Sequence, residues 1–295
     1  MAEIVLNHFC MLGEGPLWDP VRRCILWVDI ELGNIHQFFT EDQNHKVFNA
    51  GQMVGAIALT ENGGLIAALQ KGFYRIDLAN QLIHAITDPE ADFPDNRFND
   101  GKCDPAGRFW AGTMSVRDEV NAGKLYVLDT DLSVSIKIKN VTCSNGMAWS
   151  EDHKTFYYID TGSQEVVAYD YNIHNAEISN KRSIIQIPQE EGFPDGMTID
   201  HEGMLWVAIW GGWKVKRYNP HDGQVLDEVH LPVSLVTSCA FGGENLQDLY
   251  ITTARTGLSE SDLRSQPLAG SLFVVRQCGY RGLAETSYFK NPKKS

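Results

Sequence analysis

Apolar positions in this chain come in short runs rich in Val, Ile, Trp, Tyr and Phe, each closed by Gly, Asp or Asn. Runs of that kind predict β-strands, here over Cys24–Ile30, Gly64–Leu69, Lys124–Asp129, Thr155–Asp160, Met204–Trp210 and Asp248–Thr253. No long stretch spaces its apolar residues with a helical period. The one helix expected, Ser259–Arg264, is a turn or two long. The chain is therefore expected to be all-β apart from that segment.

The runs recur in register. Ahead of each strand pair stands a polar residue, then Gly or a near equivalent, two variable residues, an apolar residue and an Asp-like residue. The copies are Glu14–Asp19, Gly55–Thr60, Asn99–Asp104, Asn145–Ser150, Asp195–Asp200 and, less cleanly, Thr237–Gly242. Their first positions lie 41, 44, 46, 50 and 42 residues apart. A second strand carrying an aromatic follows several of them, as in Leu26-Trp27-Val28 and Leu205-Trp206-Val207. Six units of this length, each with room for four short strands, predict a six-bladed β-propeller. One blade cannot bury both faces of its sheet, whereas neighbours in a ring can. Residues 1–295 are accordingly expected to form one domain, closed by a terminal strand; Glu3–Asn7 and Ser271–Arg276 are the candidates.

Composition narrows the function. Hydrophobic residues make up 43% and charged residues 21%, which is ordinary for a globular protein. The net charge of -13 argues against a nucleic-acid partner, which would call for a basic face. Lys290, Lys293 and Lys294 fit a solvated tail. The N-terminus shows neither a basic segment followed by a long apolar run nor a membrane span, so a cytoplasmic protein with no membrane partner is expected. The six cysteines form no CxxC pair and several lie in strand-like runs. They are expected to be buried free thiols, and no zinc–thiolate site is expected.

In a propeller the innermost strand of each blade runs along a central channel, so one repeat position faces the same mouth in every blade. The opening position holds Glu14, Gly55, Asn99, Asn145, Asp195 and Thr237. Any of these alone is a common turn residue. Four oxygen-bearing side chains at one repeat position instead point to a metal site at the hub. Carboxylates and amides suit a hard divalent cation such as Ca²⁺, Mg²⁺ or Mn²⁺, and zinc also enters oxygen sites. Arg97 stands two residues before Asn99, so strand alternation puts both on one face, where the guanidinium could bind substrate oxygens or simply form an ion pair. No histidine falls at the ring position, no GxSxG elbow is present, and no glycine-rich loop is followed by a helix and lysine.

Taken together, Gly13-Glu14-Gly15-Pro16, Asn96-Arg97-Phe98-Asn99-Asp100-Gly101-Lys102, Trp110-Ala111-Gly112-Thr113-Met114, Ser144-Asn145-Gly146, Pro194-Asp195-Gly196-Met197 and Thr237–Gly243 make the chain resemble the regucalcin (senescence marker protein)/gluconolactonase family, which includes luciferin-regenerating enzyme. The motifs run in order from Gly13 to about Gly270. The resemblance implies a six-bladed propeller, one divalent metal held by Glu14, Asn145 and Asp195, and substrate contacts from Arg97 and Asn99. It also implies hydrolysis of sugar lactones. One departure stands out: where such sequences can carry a substrate-contacting carboxylate three residues after Gly-Thr-Met, this chain has Arg117.

The expected activity is hydrolysis of a sugar lactone, with the cation polarising the carbonyl and Asp195 assisting water attack. The rival readings are a calcium-binding regulatory propeller without catalysis, a phosphotriesterase-like hydrolase and a propeller that binds protein partners on its faces.

Overall fold

A computed structural model describes residues 2–283 and 288–290; Lys293 and Lys294 lie outside the described residues, and Lys290 is exposed. Four strands in sequence order build the first blade: Gly13–Asp19 innermost, then Cys24–Asp29, Asn34–Phe39 and His45–Asn49 at the rim. Every pairing is antiparallel. Four more blades repeat the scheme on the inner strands Val54–Leu59, Asn96–Cys103, Ser144–Trp149 and Phe193–Ile199. The sixth begins with Val236–Gly242 and Asp248–Thr253, continues with Leu272–Val275, and takes its outermost strand, Glu3–Leu6, from the other end of the chain. Glu3 sits opposite Val274 and Ile4 opposite Phe273. The fold is thus the six-bladed β-propeller that the repeat predicts, closed by the two expected terminal segments.

Burial follows from that packing. A second strand has a neighbouring blade on both faces, so it needs a continuous apolar run rather than alternation. Cys24–Asp29 and Leu65–Leu69 are buried along their whole length. Rim strands face solvent, and Leu82–Thr87 is almost wholly exposed. The core is divided into six apolar clusters, one at each blade junction. The aromatic of the second strand anchors several of them: Trp27, Trp110, Trp206 and Tyr250 are all buried. Inner strands contact the next blade's inner strand all the way round, including the first against the sixth.

The Asp-like sixth position of the repeat has a structural task. It ends the inner strand and caps the turn to the second. Asp19 accepts from the backbone N–H of Val21 and Arg22, Asp104 from Ala106 and Arg108, and Asp200 from Glu202 and Met204. Thr60 and Ser150 do the same with hydroxyls. The helix Glu260–Ser265 lies where expected, with Ser259 and Asp262 forming a capping box.

Asp104 also binds Trp110 Nε1 at 2.9 Å, Arg108 Nε at 2.7 Å and Tyr171 Oη at 2.8 Å. Asp104 and Arg108 are both buried. Asp104→Ala leaves the buried Arg108 guanidinium without its counter-charge and the Trp110 indole N–H without an acceptor, with an expected cost of about 3–5 kcal/mol. Urea unfolding of the two proteins checks this; a loss below about 1 kcal/mol, the range of an exposed ion pair, would contradict it.

Candidate metal centre

A β-bulge interrupts every inner strand at the same place. The register against the second strand slips between Glu14 and Leu17, Val54 and Ala56, Phe98 and Gly101, Ser144 and Met147, Pro194 and Met197, and Val236 and Ser238. The six opening residues of the repeat fall within or at the edge of these slips. A bulge leaves residues out of the ladder and re-aims their side chains, so four of the six blades turn one or two side chains toward the hub.

Two carboxylates hold the first loops in place without joining the centre. Asp29, at the end of a second strand, accepts from the backbone N–H of Met11 and Leu12 just ahead of Glu14. Asp160 accepts from Thr142 and Cys143 just ahead of Asn145. Glycine follows Asn145 and Asp195 because a side chain has no room there, whereas Gly15 after Glu14 has open space and a φ of +54°. A Cβ on Gly196 would lie 2.1 Å from Ser238 Oγ, and one on Gly146 would lie 2.6 Å from Met197 Cβ. Neither residue needs positive φ, so close strand approach, and not turn chemistry, explains these Asn-Gly and Asp-Gly pairs.

The structure brings together Glu14, Asn145, Asp195, Asn99 and Arg97. The Asp195 carboxyl is within hydrogen-bonding reach of both Glu14 and the Asn145 amide. Asn99 Nδ2 donates to Asn145 Oδ1 at 3.3 Å and to the Ser144 carbonyl at 2.8 Å. Arg97 Nη1 donates to Asn99 Oδ1 at 2.7 Å and to the Phe98 carbonyl at 3.0 Å. Asn145 Nδ2 donates to Thr161 Oγ1, which in turn donates to the Pro194 carbonyl, both at 2.8 Å. All five hub residues are buried. Gly55 and Thr237, at the same repeat position, serve packing: a Cβ on Gly55 would strike Phe98, and Thr237 Oγ1 donates to the Gly13 carbonyl.

Three neighbours of the hub were not among the residues expected there. Asp100 lies in the same two-residue bulge as Asn99, and its charge acts on both Glu14 and Asp195. Lys102 donates through Nζ to the Met197 carbonyl at 2.8 Å. Cys143 Sγ lies 3.7 Å from the amide nitrogens of Asn99 and Asn145. Arg117 sits apart from this cluster, exposed, in an ion pair with Asp95 at 3.0 Å. Asp95 is two residues from Arg97, so the loop carrying Arg117 is tied to the strand that enters the centre.

Electrostatics favour a cation here. Burial and then the Asp195 charge raise the pKa of Glu14 well above its ordinary value, with Asp100 adding to the effect. Burial and then Asp100 do the same to Asp195. The backbone N–H of Gly15 and of Gly196, and the Arg97 charge on Glu14, only partly offset this. Burial also pushes the Cys143 thiol up to about 12, so it stays protonated and the donor set is oxygen only. Two buried carboxylates in mutual contact with amide oxygens beside them fit a hard divalent ion. Glu14, Asn145 and Asp195 would hold it, with Asn99 next to them.

An apolar cavity of about 210 Å³ is built from the later residues of the same inner strands, including Leu17, Trp18, Trp149, Ile199 and Phe241. It extends from beside the bulges, at Gly15 and Asp100, toward the ends of the inner strands. Glu14, Asn145 and Asp195 stand outside its lining, but Asp100 and Lys102 are part of it, so the cavity adjoins the charged neighbours of the hub.

Residues 12–255 match the family described as SMP-30/Gluconolactonase/LRE-like region. The chain is 41% identical to Homo sapiens "Regucalcin" over 293 residues, covering 97% of each. It is 40% identical over 276 residues to "Putative sugar lactone lactonase YvrE" of Bacillus subtilis (strain 168), covering 93% of this chain and 94% of that one. A solved structure described as a calcium-binding protein, regucalcin from Agrobacterium tumefaciens, superposes with a TM-score of 0.91 at 27% identity, covering 97% and 96% of the two chains.

The raised carboxyl pKa values set the sign of a pH dependence. Without a cation, the folded state keeps protons that the unfolded chain releases above about pH 4. That stability is complete below the unfolded value and is lost as pH rises through the folded ones. In chelator, the melting temperature is expected to fall as pH rises above the unfolded carboxylate value of about 4, and saturating Ca²⁺ to remove most of the slope. Thermal melts with and without the ion check this; a chelated protein whose stability is flat or rises over that range would contradict it.

Proposed function

This chain belongs to the SMP-30/gluconolactonase/LRE-like family, and on that premise we propose that it hydrolyses sugar lactones to aldonic acids at the Glu14–Asn145–Asp195 centre. The observation that carries the proposal is the buried contact of Asp195 with Glu14 and Asn145 beside Arg97 and Asn99. A bound divalent ion (Ca, Zn, Mn or Mg) supplies Lewis acidity toward the lactone carbonyl. Asp195 orients a water against that carbon and takes its proton at a carboxylate oxygen. Glu14, fixed by the Gly15 N–H at 2.8 Å, keeps a second negative charge beside the ion. Arg97 is held by the Asn99 oxygen, which aims its remaining N–H groups; together they bind the sugar's ring hydroxyls. The Asn99 Nδ2 bonds to Asn145 and to the Ser144 carbonyl keep that clamp rigid. A lactone is a labile ester, so positioning and charge stabilisation are sufficient.

Names among the relatives support the class: one is a sugar lactone lactonase by name. Another is described as calcium-binding, which favours a second reading, a calcium-responsive propeller without chemistry. Acid release from gluconolactone with and without chelator separates the two. Phosphotriester hydrolysis would use the same centre, and a phosphotriester included beside the lactones separates that reading.

Asp195→Ala is expected to lower lactone turnover by roughly 100-fold or more while leaving the far-ultraviolet circular dichroism unchanged. Near-normal turnover with intact structure would refute the role given to Asp195. Arg117 is proposed to bias the choice of lactone from its loop, favouring more acidic or differently hydroxylated rings. Arg117→Ala is then expected to reorder kcat/KM across a lactone panel without a change in fold, and an unchanged order would remove Arg117 from the substrate contacts.

A further inference from the structure

Far from the oxygen cluster in donor chemistry, the first blade gathers three imidazoles around one thiol. His8 and Cys10 lie on the segment that leads from the ring-closing strand Glu3–Leu6 into the inner strand Gly13–Asp19. His36 lies on the third strand of that blade and His45 opens the rim strand paired with it. Cys10 Sγ is 3.7 Å from His36 Nε2. The ligand atoms of His8, Cys10 and His36 all lie within 4.8 Å of one another. We propose that His8, Cys10 and His36 form a second metal site, for a borderline transition ion of the zinc class.

Three features support this beyond proximity. A tetrahedral ion at about 2.3 Å from sulfur and about 2.0 Å from nitrogen needs those two atoms about 3.5 Å apart, and the Cys10–His36 pair already approaches that separation. His36 Nδ1 faces His45 Nε2 at 3.1 Å. With His36 Nδ1–H donating to His45, the lone pair of His36 is left on Nε2, the atom that faces the thiol. That is the outer-shell arrangement which orients metal-bound imidazoles. Trp27 then fixes the pair from one side: its ring stacks on His36 at 4.8 Å and 11°, and its Nε1–H donates to Cys10 Sγ at 3.4 Å.

The remaining freedom lies with His8. It is only half-buried and outside any strand, so it can close the longer ligand distances with little strain. Sulfur and imidazole donors select zinc-class ions over the calcium-class ions expected at the hub. Binding replaces the Cys10 S–H bond with a sulfur–metal bond and releases that proton to solvent. The ion would also join the chain segment after the ring-closing strand to the first blade. Cys10 itself is already tied to Gly270 through an N–H···O bond of 3.0 Å, so the junction lies at the seam of the ring. This proposal is independent of the lactonase reading, and it revises the expectation that no cysteine of this chain serves a metal.

The test is a Co²⁺ titration of the chelator-stripped full-length protein, with Ca²⁺ present to occupy the hub. A thiolate-to-cobalt charge-transfer band with tetrahedral visible bands is expected, saturating at one equivalent. Cys10→Ser is expected to abolish the charge-transfer band. His45→Ala, at a half-exposed outer-shell position, is expected to keep the band and weaken binding about 10–100-fold. His8→Ala, at a half-buried position outside any strand, is expected to weaken binding further and guards against a Cys10 variant that fails to fold. Absence of the band in the wild type would overturn the proposal, as would a band that survives in Cys10→Ser and so belongs to another thiol.

Discussion

Two carboxyl groups, Glu14 and Asp195, are buried in contact with each other, and an unscreened pair of that kind is unfavourable in any low-dielectric interior. Each belongs to a different blade, so the contact exists only because the ring is closed. Bulges at one height turn the opening residues of four blades inward, and six apolar junctions hold the blades that carry them. The outermost strand of the last blade comes from the start of the chain, a few residues before Glu14. Ring closure and centre assembly are therefore one event: the segment that completes the last sheet leads directly into the strand that supplies the first carboxylate.

The architecture was legible because most blades repeat the same devices. The Asp-like residue that caps the first turn, the aromatic of the second strand and the polar residue at the bulge all recur at fixed offsets, and fixed offsets are visible in a sequence. Glu14, Asn145, Asp195 and Asn99 were found as a ring position for that reason. Arg97 was found by strand alternation, and the structure pairs it with Asn99. What escaped lacks the period or breaks it. Asp100 was hidden because its bulge holds two residues, so a neighbour of Asn99 that alternation would turn away also reaches the centre. Lys102 and Cys143 have no counterparts in the other blades. The glycines after Asn145 and Asp195 read as turn residues, yet their reason is a close approach between strands of neighbouring blades, which no local pattern encodes.

The same logic explains the histidine cluster. His8, His36 and His45 are scattered in sequence and absent from the repeat, so nothing short of the folded first blade brings them to Cys10. The molecule thereby separates donor chemistries: hard oxygens at the hub, where the bulges point, and sulfur with imidazole at the seam. Along the channel, the cavity toward the ends of the inner strands meets the hub through Asp100 and Lys102, which line it beside Trp18, Trp149 and Phe241.

The central claim is that a closed ring builds one cation site from side chains of separate blades. Anomalous diffraction from crystals soaked in Mn²⁺ tests it most directly. The account predicts a strong anomalous peak at the hub within coordination distance of Glu14, Asn145 and Asp195. A hub without a peak, or with its carboxylates turned away from one another, would contradict it.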